Sequence, residues 1–174
     1  MQNTPACTYS TLLPRLLSAV LGMLLLAPVL AGGQPGDEVT DYRKTYVSKG
    51  SFADVRDNLE LAITGRGIVV NNVSHIGNML ARTGKDVGAS VQVYEHAEAL
   101  EFCSAVLSRK MMEADPHNIV FCPYIISVYT LPGEQGRVYL SYRRPTLVGS
   151  EASRQSLQEV EQLLDEIIDE SIIR

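Results

Sequence analysis

Between Asn118 and Tyr129 the chain reads Asn-Ile-Val-Phe-Cys-Pro-Tyr-Ile-Ile-Ser-Val-Tyr, its longest run of β-favouring residues. A turn sequence follows, Leu131-Pro-Gly-Glu-Gln-Gly136, and Arg137 to Arg143 alternates as a second strand, a hairpin partner. A chain carrying this pair is committed to an antiparallel sheet. Within the run, Cys122, Tyr124, Ile126 and Val128 share one face, and Phe121, Ile125 and Tyr129 the other. Both sets are apolar, so this end of the strand is expected to be covered on both sides. Pro123 cannot donate to a ladder, which frees the local backbone and can leave the Cys122 sulfur pointing into a cleft.

The remaining pattern supplies helices for that sheet. Asp41 to Ser48 alternates loosely as a first strand. Ser51-Phe-Ala-Asp54 has the capping-box form with an acid in the third place, and Phe52, Val55, Leu59, Ala62 and Ile63 follow at helical spacing up to Gly65 and Gly67. Ile68 to Val73 reads as a strand, and Ser74 can cap a short helix over His75 to Thr83 with Met79 and Leu80 turned inward. Val91 to His96 is ambiguous between loop and strand, and Ala99 to Cys103 is a short apolar strand. Val106 to Ala114 suits a helix stopped by Asp115-Pro116. After Gly149-Ser150 a last amphipathic helix buries Leu157, Val160, Leu164, Ile167 and Ile168, with Glu159, Glu161, Asp165, Glu166 and Asp169 facing water. The order is β-α-β-α-β-α-β-β-α, an α+β fold in which residues 41–174 form one domain.

The first 31 residues stand apart. One cation, Arg15, precedes an apolar segment of roughly 15 residues that ends Val29-Leu30-Ala31, the form of a cleaved signal peptide rather than a membrane span. Residues 32–40 are a Gly/Pro linker. Export implies a periplasmic protein with no stable membrane span after cleavage. Loss of Arg15 makes the mature chain one unit more acidic than the full chain's −5, which excludes a general nucleic-acid or anionic-membrane binder. Of the three cysteines, Cys103 and Cys122 remain in the mature chain.

The opening helix, Ile68-Val-Val70, the His at the head of a short helix (Ser74-His75-Ile-Gly-Asn-Met79), the strand into Cys103-Ser and the hairpin Ile125–Tyr129 with Val138–Tyr142 occur in an order that resembles the domain-of-unknown-function 302 family over about residues 42–145. The resemblance implies helices on a curved antiparallel sheet and a homodimer, with no established activity. Ser74-His75 and Cys103-Ser-Ala105 depart from the cytosolic members' Asp-His and Gly-Asn-Pro, which marks an exported subgroup.

Candidate chemistry centres on His75, Cys122 and Tyr124. A His opening a helix is held neutral by the dipole, the form that ligates a metal or haem iron. It can equally cap or hydrogen-bond a neighbouring loop. Cys122 has three readings: a disulfide with Cys103, a buried free thiol, or a ligand. The disulfide would close a loop of about 18 residues, worth about 3 kcal/mol. His96 beside Glu95 and Glu98 and His117 beside Pro116 read as solvated positions, and Met79, Met111 and Met112 as core. No nucleophile elbow, His-Glu-x-x-His helix or phosphate loop is present. The chain is therefore expected to be a non-enzymatic, exported small-ligand-binding or accessory protein, with haem or a metal ion as the sharpest candidate ligand. The competing expectation is a thiol-disulfide or sulfur-handling redox protein using Cys103 and Cys122, weakened by the absence of Cys-x-x-Cys.

Overall fold

The computed structural model describes residues 36–174; the expected signal peptide lies outside the described residues. The elements run β1 (Glu38–Val39), β2 (Arg43–Lys49), α1 (Phe52–Thr64), β3 (Val70–Ser74), α2 (Ile76–Thr83), β4 (His96–Phe102), α3 (Ala105–Ala114), a 3-10 segment (Pro116–Phe121), β5 (Tyr124–Thr130), β6 (Arg137–Arg143) and α4 (Glu151–Ser171). The six strands form one antiparallel sheet in the order β1-β2-β6-β5-β4-β3. The expected α+β order is present, with one addition. Glu38 and Val39, inside the stretch read as linker, pair with Thr45 and Lys44 and make a short edge strand.

The period-2 pattern of the hairpin sorts the sheet into two faces. Ile126, Val128, Val138 and Leu140 are fully buried on one face. Against them pack Val55, Leu59 and Ile63 of α1, Met111 of α3, and the stripe of α4. Burial of each such side chain stabilises the fold by about 1.5–3 kcal/mol. Ser51 starts α1 as expected: its hydroxyl accepts the Asp54 N–H at 3.1 Å and donates to the Asp54 carboxylate at 2.7 Å. Gly67, at φ 71, takes the left-handed conformation that ends the segment.

The other face is covered only in part: Thr45, Ala97, Ala99 and Tyr139 are buried, but the start of β5 is open, contrary to the two-sided burial expected of that run. Ile125 is 42% exposed. α2 lies there together with Tyr94, whose ring meets that of Tyr129 at 5.4 Å between centroids, and the helix comes closest to the sheet at its smallest residue. A Cβ on Gly77 would sit 2.9 Å from the Ala97 backbone nitrogen, so glycine lets the helix approach β4. That approach leaves Met79 and Leu80 pointing to solvent, where the sequence pattern had them inward.

The long β-type run is also interrupted. Residues 118–121 belong to the 3-10 segment, and the strand begins only at Tyr124. Two local effects outweigh β-propensity there. Pro116 starts the segment, with the Asp115 carboxylate accepting the His117 N–H at 2.9 Å. The buried Asn118 amide then donates to the Met111 carbonyl and the Ser153 hydroxyl, both at 2.9 Å, bracketing α3 to α4. His117 is exposed, as expected. His96 is exposed too, as expected, and settles the ambiguity of its stretch by starting β4, where it stacks on Phe52 with ring centroids 4.9 Å apart.

Candidate functional site: a cleft where the hairpin opens

β5 and β6 pair only from Tyr129 and Tyr139 to Ser127 and Ser141. Beyond Ser127 the strands part. β5 stays with β4 down to Phe102↔Tyr124, and β6 stays with β2 out to Arg43↔Arg143. Proline bounds both parted ends, Pro123 before β5 and Pro145 after β6, and neither can donate to a ladder. The split leaves a cleft of about 450 Å³. Its walls are Pro123, Tyr124 and Ile125 on one side and Tyr142 to Pro145 on the other; Val160 and Leu164 of α4 line it as well. Tyr42, Arg43 and Phe121 also border it.

Under the β6 wall lies a network that the sequence pattern misplaced. Lys44 Nζ bonds Asp165 Oδ2 at 2.7 Å and Glu161 Oε1 at 3.0 Å. The Tyr46 hydroxyl donates to Asp165 Oδ1 at 2.6 Å, and the Tyr142 hydroxyl donates to the same oxygen. Glu161 also accepts from Arg144 Nε at 2.7 Å. Glu161 is buried and Asp165 half-buried, so neither belongs to the water-facing side of α4 expected for them. Burial alone would raise the Asp165 pKa, but bonds from Lys44, Tyr142 and Tyr46 outweigh it and hold the carboxyl below its ordinary range. Burial first, and then the Asp165 carboxylate, push the Tyr142 and Tyr46 phenols well above theirs. The signal available in the sequence was polar: Lys44, Tyr46 and Tyr142 share the parity of the buried face.

At the other wall, the register that sets Phe102 opposite Tyr124 brings Cys103 beside Cys122, Sγ to Sγ 2.7 Å. The Ser108 hydroxyl reaches the Tyr124 hydroxyl at 3.1 Å and Cys122 Sγ at 3.8 Å. Burial, reinforced by the neighbouring sulfur, pushes the Cys103 thiol up to about 11. Burial pushes the Tyr124 phenol up to about 12. Cys103, Cys122 and Tyr124 are thus brought together. His75 is not among them. It caps α2 without a side-chain cap bond, and its Nδ1 meets Glu98 Oε1 at 3.0 Å. Glu98 lies about 16 Å along β4 from Cys103 at the strand rise of about 3.3 Å per residue. Two protein ligands of one metal ion lie within about 4 Å of each other, so His75 and Cys122 do not form a shared haem or metal centre. Among the described residues, no three His, Cys, Asp or Glu side chains gather as a metal site, and no helix is long and apolar enough to cross a membrane.

No curated protein matches the chain. Among solved structures it is similar to an uncharacterized conserved DUF302 protein from Bacillus stearothermophilus, with a TM-score of 0.60 at 19% identity, over 74% of this chain and 96% of that one. At that identity the likeness concerns the fold. The family profile described as Domain of unknown function DUF302 matches residues 44–171, which reaches through α4, past the limit near residue 145 that the sequence resemblance suggested. By that match over most of its length, the chain belongs to the DUF302 family.

Proposed function

We propose that this DUF302 protein is an exported small-ligand-binding or accessory domain whose site is the cleft between the parted ends of β5 and β6. The observation that carries the reading is the parting itself. A continuous ladder would satisfy the backbone groups of both strands, whereas a split one leaves them to other partners. Here the gap is rimmed by apolar Phe121, Pro123 and Ile125 above buried Val160 and Leu164, and its volume falls in the range of about 300–1,000 Å³ common to ligand sites. The cleft is lined by no His, Cys, Asp or Glu, so its chemistry favours an organic ligand over haem or a metal ion.

The test uses phenylnaphthylamine, a neutral apolar fluorophore. Its fluorescence should rise with saturable, one-to-one binding, and Ile125→Trp, which fills the cleft from an exposed position, should weaken that binding at least tenfold. Equal binding by the variant would remove the cleft from consideration.

The sulfur pair, free thiols in contact in this structure, speaks against a redox role. A thiol pushed up to about 11 supplies almost no thiolate at neutral pH, and the thiolate is the reactive form. Export follows from the residues 1–31 pattern, and a homodimer would cover Met79, Leu80, Val87, Val91 and Val93, exposed along α2 and the segment after it. Native mass spectrometry of protein recovered from the periplasm reads both: the expected species is a dimer of chains beginning at Gly32. A monomer, or a mass retaining the first 31 residues, would discard the corresponding part.

A further inference from the structure

Charge is distributed unevenly around the cleft. The chain carries 20 acidic against 15 basic residues, yet the cleft is lined by Arg43, Arg143 and Arg144 and by no carboxylate. Two of these guanidiniums are occupied. Arg144 is held by Glu161, and its NH1 donates to the Thr40 carbonyl at 2.9 Å. Arg43 meets Glu38 at 2.7 Å, an ion pair exposed enough to be worth little. Its Nε is buried without a hydrogen-bond partner among the described residues. The Arg143 guanidinium makes no hydrogen bond or ion pair among the described residues, its backbone pairing with Arg43 in the ladder.

The register sharpens this. Arg43 and Arg143 are direct cross-strand partners on the partly covered face, where Cβ atoms stand about 4.5–5.5 Å apart and like charges repel. A sheet that places two guanidiniums opposite each other, with one exposed acid for partial relief, is short of a counter-ion at that spot. Beside the pair lie the exposed apolar residues Pro123 and Ile125 and half-buried Phe121, over a floor of buried Val160 and Leu164.

From this juxtaposition we infer that the cleft takes a single-headed organic acid, its anionic group across Arg43 and Arg143 and its apolar body between the parted strands. This rests on the cleft being the binding site. Paired guanidiniums offer forked donors that suit a carboxylate or sulfonate, and the bound anion would cancel the repulsion between them.

Anilinonaphthalene sulfonate tests it, being phenylnaphthylamine with one anionic group added. Expected is at least tenfold tighter binding of the sulfonate than of the neutral compound. Arg143→Gln should weaken the sulfonate at least tenfold more than the neutral compound and so remove that advantage. The ligand-free variant should melt at the same or a higher temperature, because the substitution relieves a like-charge pair. Decanoate and naphthoate, tried as competitors, then tell an aliphatic body from an aromatic one. Saturable binding of the neutral compound, lost in Ile125→Trp, with no preference for the sulfonate would overturn the anion inference and leave the cleft standing. Displacement of the sulfonate by equimolar inorganic phosphate would also overturn it, since the apolar residues would then contribute nothing. Failure of both fluorophores to bind would overturn the cleft and the inference together.

Discussion

Replacing Asp165 by alanine should cost the fold roughly 2–4 kcal/mol in urea unfolding. One carboxylate satisfies Lys44, Tyr46 and Tyr142, and Tyr142 is 3% exposed. Truncation leaves two phenols and an ammonium with a single remaining acid, Glu161, already shared with Arg144. Asp165→Asn should cost less, because the amide oxygen still accepts from the tyrosines. A loss under about 1 kcal/mol for the alanine variant would mean that water replaces the carboxylate without penalty.

The same network sets the pH limits of stability. In the unfolded chain a tyrosine ionises near pH 10. Folded Tyr142 keeps its proton well beyond that, so the unfolded state is the one that releases it. Stability from this group is whole below about pH 10. It then falls by up to about 1.4 kcal/mol for each further pH unit, and Tyr46 acts in the same direction. Tyr142→Phe should flatten that alkaline slope by about one proton. On the acid side the Asp165 pKa is depressed, so its contribution is present above the unfolded carboxylate's value of about 3.9 and is lost as pH falls below it.

Cys103 and Cys122 are free thiols in this structure, and a bridge between them would give the second large effect. Closing a loop of about 18 residues is worth about 3 kcal/mol by the chain-entropy account. Reduction, or Cys103→Ser, should therefore lower the stability of the oxidised protein by roughly 2–4 kcal/mol. Dithiothreitol should have no effect on the variant. Non-reducing peptide mapping is the direct check: a linked pair of peptides is expected, and two freely alkylated thiols would discard the bridge. The supporting observation is topological, because Cys103 follows β4 and Cys122 precedes β5 on adjacent paired strands.

Much of this fold was legible because its signals are local. The Ser51 cap, the α4 stripe Leu157, Val160, Leu164, Ile167 and Ile168, and the hairpin over Gly136 all depend on residues within one or two turns of each other. The cleft was hinted at only by Pro123. Periodicity tells which side chains alternate along a strand, not how far two strands stay together. Glu161 and Asp165 follow the polar rhythm of an amphipathic helix, and their partner Lys44 stands 121 residues from Asp165. Met79 and Leu80 fit a helical apolar face, but Gly77 decides which side of α2 approaches the sheet. His75 looked like a ligand from its place at a helix head, and its nearest charged neighbour proved to be Glu98, at the far end of β4 from the sulfurs.

The reach of α4 has a consequence for when this protein becomes a protein. Its side chains line the cleft, fill the core beneath β5 and β6, and hold β2 through Lys44. It is also the last of the described elements in chain order. Until it emerges, the sheet has lost a main covering layer and the Lys44 ammonium has neither carboxylate partner. Contacts this distant in sequence form late. The described fold is therefore closed only when α4 docks, and a chain synthesised only as far as β6 stays loose.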